Sequence, residues 1–240
     1  MRNYLDPIVP RLMMILDPIP VILENLPDDF HKEFTLPYKK GDQSYGDHKV
    51  PFTNKIYIER DDFRVEPSKN YNRLVPNGIV GLFNAEFPIQ ATSYTERNGR
   101  VTEIRAKYLN EGPRVKAKAY IHWVSHSPKD NSPVHLKQVR CFNPLFKSDN
   151  PESHPAGFLA DLSPHSEECY DHALIEIGFH EIRKNSPWRE NEGGVVEARG
   201  RPETVRFQAM RTGYFCVDSD STVTEFVLNR IVGLKQDAGF

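Results

Sequence analysis

The sequence lacks any long apolar run. Its first 20 residues are interrupted by Pro7, Pro10 and Asp17, among others. A secretory signal needs an unbroken apolar segment, and a membrane span needs about 20 apolar residues in a row. The sequence therefore predicts a cytoplasmic protein without a membrane partner.

Cysteine is also scarce. Cys141, Cys169 and Cys216 are odd in number and far apart, which is typical of reduced thiols rather than of a disulfide framework. Free cysteine is among the most buried residue types, so we predict a core position for each. Cys216 lies in the apolar run YFCV, where no nearby cation would activate a thiolate nucleophile.

Motifs of the common catalytic classes are missing. The chain has no Gly-rich phosphate loop, no GxSxG elbow and no HExxH helix. His165, Cys169 and His172 stand close together in HSEECYDH, but the second ligand pair of a zinc site does not accompany them. The sequence predicts no cofactor or metal in this chain. A stand-alone hydrolase that uses these three side chains stays as an alternative.

Charge is nearly balanced over the chain but unevenly distributed. The formal net charge is −2, while residues 101–140 carry eight Lys/Arg against three Asp/Glu and residues 161–200 carry four against nine. A basic face can bind phosphate on a near-neutral chain, because the local field matters more than the net charge. Lys116 and Lys118 alternate on one predicted strand face and either contact phosphate or lie in solvent.

Alternation of polar and apolar residues is the dominant pattern. It runs through residues 55–60, 100–109, 114–124 and 134–142 and predicts strands with one buried face. Asn98-Gly99 lies between two such runs and is the strongest hairpin signal in the chain. Helical periodicity is weak by comparison.

Three local predictions follow. Residues 164–172 are expected to hold a short helix. The stretch FQAMRTGYFCVDSDS is expected to form a strand, a tight turn at Thr212-Gly213 and a second strand, with Cys216 packed inward. In YIHWVS the neighbours His122 and Trp123 should point to opposite faces, and we expect Trp123 in the core. His122 either stacks on an RNA base or packs between strands.

Several stretches resemble the carboxy-terminal anticodon-binding region of the class I glutaminyl-tRNA synthetase family. IHWVS together with GYFCVDSDST is specific to this family. The residues of the motifs favour a eukaryotic member and, more narrowly, a fungal one. Residues 145–200 lack a clear counterpart, and the role of this segment is left open. The matching stretches follow the family's order and are VPRLMMILDPIPVILENLP, VPFTNKIYIERDDFR, NYNRLVPNGIVGLFNA, VTEIRAKY, KAYIHWVS, VRFQAMRTGYFCVDSDST and LNRIVGLKQD.

This resemblance implies a mainly β fold of two β-barrels with few short helices. It implies a proximal barrel of residues 1–60 plus 126–240 and a distal barrel of residues 61–125. The expected partner is the anticodon loop of glutamine tRNA. The family's HIGH-like and KMSKS-like signatures are missing here, so ATP and Mg²⁺ are expected to bind a catalytic domain outside this sequence. That domain, and other synthetases or proteins, are the expected protein partners.

The resemblance also implies roles for individual residues. Arg11 and Gln208 match positions that contact the middle anticodon base, a uridine, whose edge suits an amide that both donates and accepts. Arg73 matches an arginine at the third base, a guanine, which a guanidinium can bind at O6 and N7. Arg211 matches a second charged position just after the glutamine.

The first-base positions depart from the family pattern. Bacterial members carry arginines where this chain has Gly81 and Phe83, while Asn84 keeps its match. Asn72 replaces a lysine and Asn70 a glutamine. Phe83 either stacks on the first base or packs in the core. Stacking would accept cytosine and uracil alike.

Two further alternatives remain from the sequence, besides the hydrolase. The anticodon-binding region of a eukaryotic glutamyl-tRNA synthetase shares the barrels, although GYFCVDSDST followed by LNRIVGL favours the glutaminyl type. A protein-interaction module is the alternative from another class, since exposed strand edges can pair with another chain.

Overall fold

A computed structural model describes residues 1–186 and 201–234. The last part of the segment 145–200 and the end of LNRIVGLKQD lie outside the described residues. Among the described residues, no helix is long and apolar enough to cross a membrane.

The protein is mainly β, as predicted. The described residues form 18 strands and two α-helices, α1 Arg2–Leu5 and α2 Gly178–Asn185. The strands are β1 Arg11–Leu12, β2 Met14–Ile15, β3 Pro18–Leu23, β4 His31–Pro37, β5 Asp47–Thr53, β6 Lys55–Glu59, β7 Ile79–Leu82, β8 Ile89–Arg97, β9 Arg100–Tyr108, β10 Tyr120–Ile121, β11 Trp123–Ser125, β12 Val134–His135, β13 Gln138–Phe142, β14 Glu167–Tyr170, β15 Leu174–Ile175, β16 Arg206–Ala209, β17 Gly213–Val217 and β18 Val227–Gly233.

The largest sheet is nearly closed into a barrel. Its seven strands run in the order β10-β7-β8-β9-β3-β6-β11. The two edge strands, β10 and β11, are consecutive in the chain and are separated only by His122. One short stretch of backbone therefore contributes both edges, and closure leaves little unpaired edge.

A second, six-stranded sheet runs in the order β1-β16-β17-β18-β13-β14. It unites a strand from the start of the chain with strands from its second half. Two smaller sheets, β12-β15-β2 and the hairpin β4-β5, complete the structure.

The two larger hydrophobic cores meet along residues 12–15. The first core surrounds Phe52 and Trp123, whose rings lie 5.2 Å apart, and the second surrounds Phe179 and Phe207 at 5.8 Å. Leu12 and Met14 belong to the second core, whereas Met13 and Ile15 belong to the first. Because successive side chains of extended backbone point to opposite faces, this short segment is shared by both cores.

Several local predictions are confirmed. The hairpin turn falls at Asn98-Gly99, where both residues have positive φ, 53° and 75°. Strands occupy residues 55–59 and 100–108, and residues 134–142 hold two strands. The division into proximal and distal barrels at residues 60 and 125 stays a prediction.

Other predictions are wrong in part. The helix expected at residues 164–172 is the strand β14, because these residues pair with β13 and tertiary pairing overrides weak local preference. Strand structure in 114–124 begins only at Tyr120, and Lys116 and Lys118 are exposed in the preceding loop.

The hairpin turn of FQAMRTGYFCVDSDS comes earlier than predicted. It spans residues 210–212, and Arg211 rather than Gly213 has the positive φ, 65°. Gly213 opens β17, where a Cβ would come within 2.9 Å of the Val232 carbonyl oxygen. Close packing, and not the turn, therefore requires this glycine.

The cysteines differ in burial. All three are free thiols; Cys141 is buried, Cys216 is partly buried and Cys169 is exposed. The core prediction for Cys169 is wrong because β14 is an edge strand of its sheet. Trp123 is fully buried as predicted, and His122 is buried beside it at 3% exposure.

Candidate nucleic-acid interface

A pocket of about 350 Å³ opens where β1 and β16 lie side by side. The two strands are parallel, and their register places Arg11 opposite Gln208. Opposed residues on neighbouring strands project to the same face, so both side chains reach this pocket, which we call the central pocket. Five of the predicted site residues line it: Arg11, Phe83, Asn84, Gln208 and Arg211.

Three buried polar atoms of the residues that line the central pocket lack a hydrogen-bond partner within the described part of the chain: one in His48, one in Gln208 and one in Arg11. Gln208 Oε1 and Arg11 Nε make no hydrogen bond within the described part of the chain. Arg11 is oriented from its other end, where Nη2 donates to Asp6 Oδ1 at 3.1 Å. A buried polar atom without a partner costs about 1–3 kcal/mol, so a ligand that bonds to both atoms would recover that energy. Gln208 thus offers an acceptor and Arg11 a donor from opposed positions on neighbouring strands.

The floor of the central pocket is a buried polar cluster around Glu176. Glu176 Oε1 accepts from the Met13 backbone N–H at 2.7 Å, and Oε2 lies 3.2 Å from His48 Nε2. The His48 ring stacks on Tyr38, with centroids 4.2 Å apart. Tyr38 Oη in turn donates to the Gly178 carbonyl at 3.2 Å. These contacts hold the segment that carries Arg11 against the second core.

Phe83 and Asn84 form the rim on the barrel side. The Phe83 backbone N–H donates to the Ile121 carbonyl at 2.9 Å, and its own carbonyl accepts from Trp123 Nε1 at 2.9 Å. Asn84 follows with a φ of 59°, a left-handed conformation that asparagine tolerates. The Phe83 ring is partly buried against the first core and also lines the pocket, so both of the roles weighed for it are compatible with its position.

A second pocket, of about 400 Å³, surrounds the fully buried carboxylate of Asp62. We call it the Asp62 pocket. Arg211 Nη1 and Nη2 donate to the two carboxylate oxygens at 2.7 and 2.8 Å, and Arg73 Nη1 lies 2.9 Å from Oδ1. Asp62 thus fixes two guanidinium groups at once. Arg211 is the tip of the β16–β17 hairpin, so its ion pair also joins the second core to the barrel.

Three groups that line the Asp62 pocket have displaced pKa values, and burial raises the pKa of Tyr170 to about 12. Burial lowers the pKa of His122 to about 4, so the ring is neutral near pH 7. Its Nδ1 can therefore accept from Arg211 Nη1, which lies 3.0 Å away. Burial raises the pKa of Glu59 to about 7, against two backbone hydrogen bonds from Leu16 and Asp17 that favour the charged form.

A third pocket, of about 420 Å³, lies on the other side of Phe83. It is lined by Gly81, Tyr120, Arg114 and Lys116, among others, and we call it the aromatic pocket. A Cβ on Gly81 would come within 2.4 Å of the Tyr120 ring. The position that matches a family arginine therefore carries glycine because the Tyr120 ring fills its side-chain space.

Asn70 and Asn72 stand apart from these pockets. Both lie in the exposed loop before β7, and Asn72 Nδ2 donates to the Asn70 carbonyl at 3.2 Å. Neither residue lines the central, Asp62 or aromatic pocket. The structure does not bring these two residues together with Arg11 and Gln208.

The three pockets lie close to one another. Phe83 of the central pocket is two residues from Gly81 of the aromatic pocket, and Arg211 lines both the central and the Asp62 pocket. Tyr120 of the aromatic pocket is likewise two residues from His122 of the Asp62 pocket. An extended ligand with three separate flat groups could place one group in each.

Sequence reasoning missed Asp62 and Tyr120. Asp62 stands in the run ERDD, where nothing distinguishes a buried carboxylate from its exposed neighbours. Tyr120 belongs to an alternating stretch in which either face could have been the buried one. The pairing of Gly81 with Tyr120 depends on the parallel register of β7 and β10, which local pattern does not reveal.

Comparison with known families gives two matches in succession. Residues 9–109 and residues 120–188 each match a model described as "tRNA synthetases class I (E and Q), anti-codon binding domain". Together these matches cover most of the chain. They leave out the pocket residues contributed by β16 and its turn and those that residues 114–117 contribute to the aromatic pocket.

Curated relatives match almost the whole chain. It is 47% identical to a glutamine–tRNA ligase of Hypocrea virens over 99% of its length, and 44% identical to glutamine–tRNA ligase of Saccharomyces cerevisiae over 98%. A probable glutamine–tRNA ligase of Schizosaccharomyces pombe is 41% identical over 99%. The matches cover 35%, 30% and 30% of these relatives, so the chain spans roughly a third of their length.

Proposed function

The chain belongs to the anticodon-binding domain family of the class I synthetases for glutamate and glutamine, and from this premise we propose that it binds the anticodon loop of glutamine tRNA. The observation that carries the proposal is the central pocket, where Gln208 and Arg11 lie opposite each other on neighbouring strands and Gln208 Oε1 and Arg11 Nε lack partners within the described part of the chain. Glutamine, rather than glutamate, is supported by relatives from fungi, plants, animals and a bacterium that are named as glutamine–tRNA ligases.

The central pocket suits a uracil base at the middle position. Uracil presents an N3–H donor flanked by carbonyl acceptors, which Gln208 can meet with its amide oxygen and its amide NH₂. Arg11 is a donor only, so it needs an acceptor such as a uracil carbonyl. Cytosine would turn its N4 amino group toward the same donors and leave one of them unpaired.

The Asp62 pocket suits the third base, a guanine. Guanine offers the acceptors O6 and N7, which a guanidinium group can bind. Asp62 holds Arg73 and Arg211 in fixed orientations, and groups whose orientation is already set lose less entropy on binding. Asn84 at the rim, and Asn70 and Asn72 in the exposed loop, are the proposed contacts to the surrounding nucleotides.

In a longer glutamine–tRNA ligase, this chain would supply the anticodon reading. The names of the relatives and their greater length support this wider role. The remainder of such an enzyme would bind ATP with Mg²⁺ and attach glutamine, and it would be the first protein partner of this chain; contacts with other synthetases or proteins are a further proposal. An Arabidopsis thaliana relative is named as cytoplasmic, which supports the same compartment here.

The test is a binding titration with three labelled stem-loops at low salt. One carries the glutamine anticodon, one has cytosine as its middle base, and one has cytosine as its third base. We expect each change to weaken binding by about 1–3 kcal/mol, the range for one misread base. Equal affinity for all three would refute base-specific reading.

The third-base change also distinguishes a glutaminyl-type domain from a glutamyl-type domain. Glutamine and glutamate anticodons share the middle uridine and differ at the third base, so a glutamyl-type domain would prefer the third stem-loop. A chain that forms a defined oligomer in light scattering and binds none of the RNAs would instead favour a protein-interaction module.

A further inference from the structure

Tyr120 presents an open aromatic face in the aromatic pocket. Its residue exposure is 51%, although its neighbours Ile121 and Trp123 are fully buried. Tyr120 pairs with Gly81 in the parallel ladder of β10 and β7, and two of its ring carbons come within 2.4 Å of the position of a Cβ on Gly81. Only glycine lets the ring lie flat against the strand. The ring is therefore held in place from behind while its other side stays accessible.

The surroundings of this ring suit a flat ligand that carries a negative charge. The Phe83 ring lies 6.4 Å away at an interplanar angle of 27°, so the two rings are nearly parallel. Arg114 and Lys116 line the same pocket and are exposed, and neither has an ion-pair partner within residues 1–186 and 201–234. The one carboxylate in the wall, Glu86, is paired with Lys32 at 2.7 Å.

The position of the aromatic pocket identifies which part of the ligand it would receive. Phe83, two residues after Gly81, already lines the central pocket, which is assigned to the middle base. The Asp62 pocket is assigned to the third base, so the first base remains for the aromatic pocket. Three unstacked bases of one loop can therefore occupy the three pockets.

We propose that Tyr120 is the stacking platform for the first anticodon base and that it holds cytosine and uracil equally well. This inference rests on the proposed function. Every base has a π-face, so stacking is tolerant of sequence, whereas a guanidinium would read the hydrogen-bonding edge. Arg114 and Lys116 bind the phosphate beside that base. The replacement of an edge-reading arginine by Gly81 and Tyr120 makes this chain indifferent to which pyrimidine stands first.

The test uses three anticodon stem-loops whose first position is cytidine, uridine or an abasic site. Wild type, Tyr120→Phe and Tyr120→Ala are titrated against each. We expect Tyr120→Ala to weaken binding of the cytidine and uridine loops about 5- to 150-fold, by the same factor for both, as for one lost stack. Tyr120→Phe should stay within about twofold of wild type. The abasic loop should bind wild type and Tyr120→Ala equally.

Matched variants separate stacking from folding. Tyr4→Ala removes another exposed tyrosine, outside all three pockets, and should change no affinity. Gly81→Ala keeps the Tyr120 ring but displaces it, and should weaken the two pyrimidine loops as Tyr120→Ala does. Thermal unfolding of each variant verifies that it is folded. A Tyr120→Ala variant that loses as much affinity for the abasic loop as for the others would overturn the proposal.

Failure of this inference is distinguishable from failure of the proposed function. If wild type still discriminates at the middle base and Tyr120→Ala binds all loops like wild type, only the stacking role is refuted. If wild type does not discriminate at the middle base, the proposed function itself fails. A Tyr120→Ala loss that differs more than about threefold between cytidine and uridine would refute the claimed indifference.

Discussion

Glu59 illustrates how a single side chain at the junction responds to burial. Its side chain is 19% exposed, and its two oxygens accept the backbone N–H groups of Leu16 and Asp17 at 2.9 and 2.8 Å. Burial dominates over these hydrogen bonds and raises the pKa of Glu59 from 4.5 to about 7, with Asp62 and Asp17 adding to the increase. The folded protein therefore holds a proton at Glu59 at pH values where the unfolded chain has released it.

We expect Glu59→Gln to change how stability depends on pH. Between pH 4.5 and about 7 the folded state binds more protons at Glu59 than the unfolded state, so the contribution of this group to the free energy of unfolding falls as pH rises. The slope is at most about 1.4 kcal/mol per pH unit. Glu59→Gln should therefore become more stable relative to wild type as pH rises through this window, as measured by urea unfolding at several pH values.

The difference between variant and wild type is the informative quantity. His122, with its pKa lowered from 6.5 to about 4, contributes a slope of opposite sign over part of the same range. Glu96→Gln changes an exposed carboxylate and serves as the control. Parallel stability curves for Glu59→Gln and wild type would contradict the raised pKa of Glu59.

At this scale the sequence predicted some site residues and not others. Arg11 and Gln208 could be predicted through the resemblance, and the parallel register of β1 and β16 places them side by side. Asp62 could not, because its importance comes from ion pairs with Arg73 and Arg211 that only the folded chain brings together. The ring of Tyr120 escaped prediction for a similar reason, since only the folded register sets it on Gly81.

Among the elements, the β8–β9 hairpin depends most clearly on backbone conformation. Its turn residues Asn98 and Gly99 both have positive φ, which matches the right-handed twist of the flanking strands. Nothing lies within 4 Å of a Cβ placed on Gly99. Glycine is therefore required here for its backbone conformation and not because a side chain would clash with neighbouring atoms.

Gly99→Val should destabilise the protein by about 1–2 kcal/mol, because a β-branched residue is strained at a φ of 75°. Asn98→Gly introduces a residue that also tolerates positive φ, so it should change the free energy of unfolding by only a few tenths of a kcal/mol. Both values come from urea unfolding. If Gly99→Val were as stable as Asn98→Gly, the turn would not depend on the left-handed conformation.

Elements were predictable where pattern and turn chemistry agree. Residues 100–108 alternate and follow an Asn-Gly turn, and they form the strand that the pattern predicts. Residues 167–170 have no such local signal; they become a strand because β13 offers a pairing edge. The alternation before Tyr120 predicted strand where the chain forms a loop, because no neighbouring strand pairs with it among the described residues.

At the scale of the molecule, the two cores are joined by a shared segment and by a buried ion pair. Residues 12–15 alternate between the cores, and the Arg211 hairpin reaches from the second core to Asp62 beside the barrel. The central pocket and the Asp62 pocket draw residues from both sides of this junction. The relative position of the two cores therefore sets the shape of these two pockets.

We expect Asp62→Asn to destabilise the protein by about 3 kcal/mol. The substitution keeps the shape of the side chain but leaves Arg73 and Arg211, each about one-fifth exposed, without their buried counter-charge. Urea unfolding measures the loss. Asp61→Asn alters the exposed neighbour and should stay within about 0.5 kcal/mol of wild type. Equal stability of the two variants would mean that the ion pairs do not hold the junction together.

The most direct test of the central claim is a double-mutant cycle between Gln208 and the middle anticodon base. Wild type and Gln208→Ala are titrated with stem-loops that carry uridine or cytidine at that position, and Gln138→Ala, on the same sheet outside the pockets, is the control. We expect the base change to weaken binding by about 1–3 kcal/mol in wild type and in the control, and by almost nothing in Gln208→Ala. If the base change has the same effect in Gln208→Ala as in wild type, Gln208 does not read the middle base.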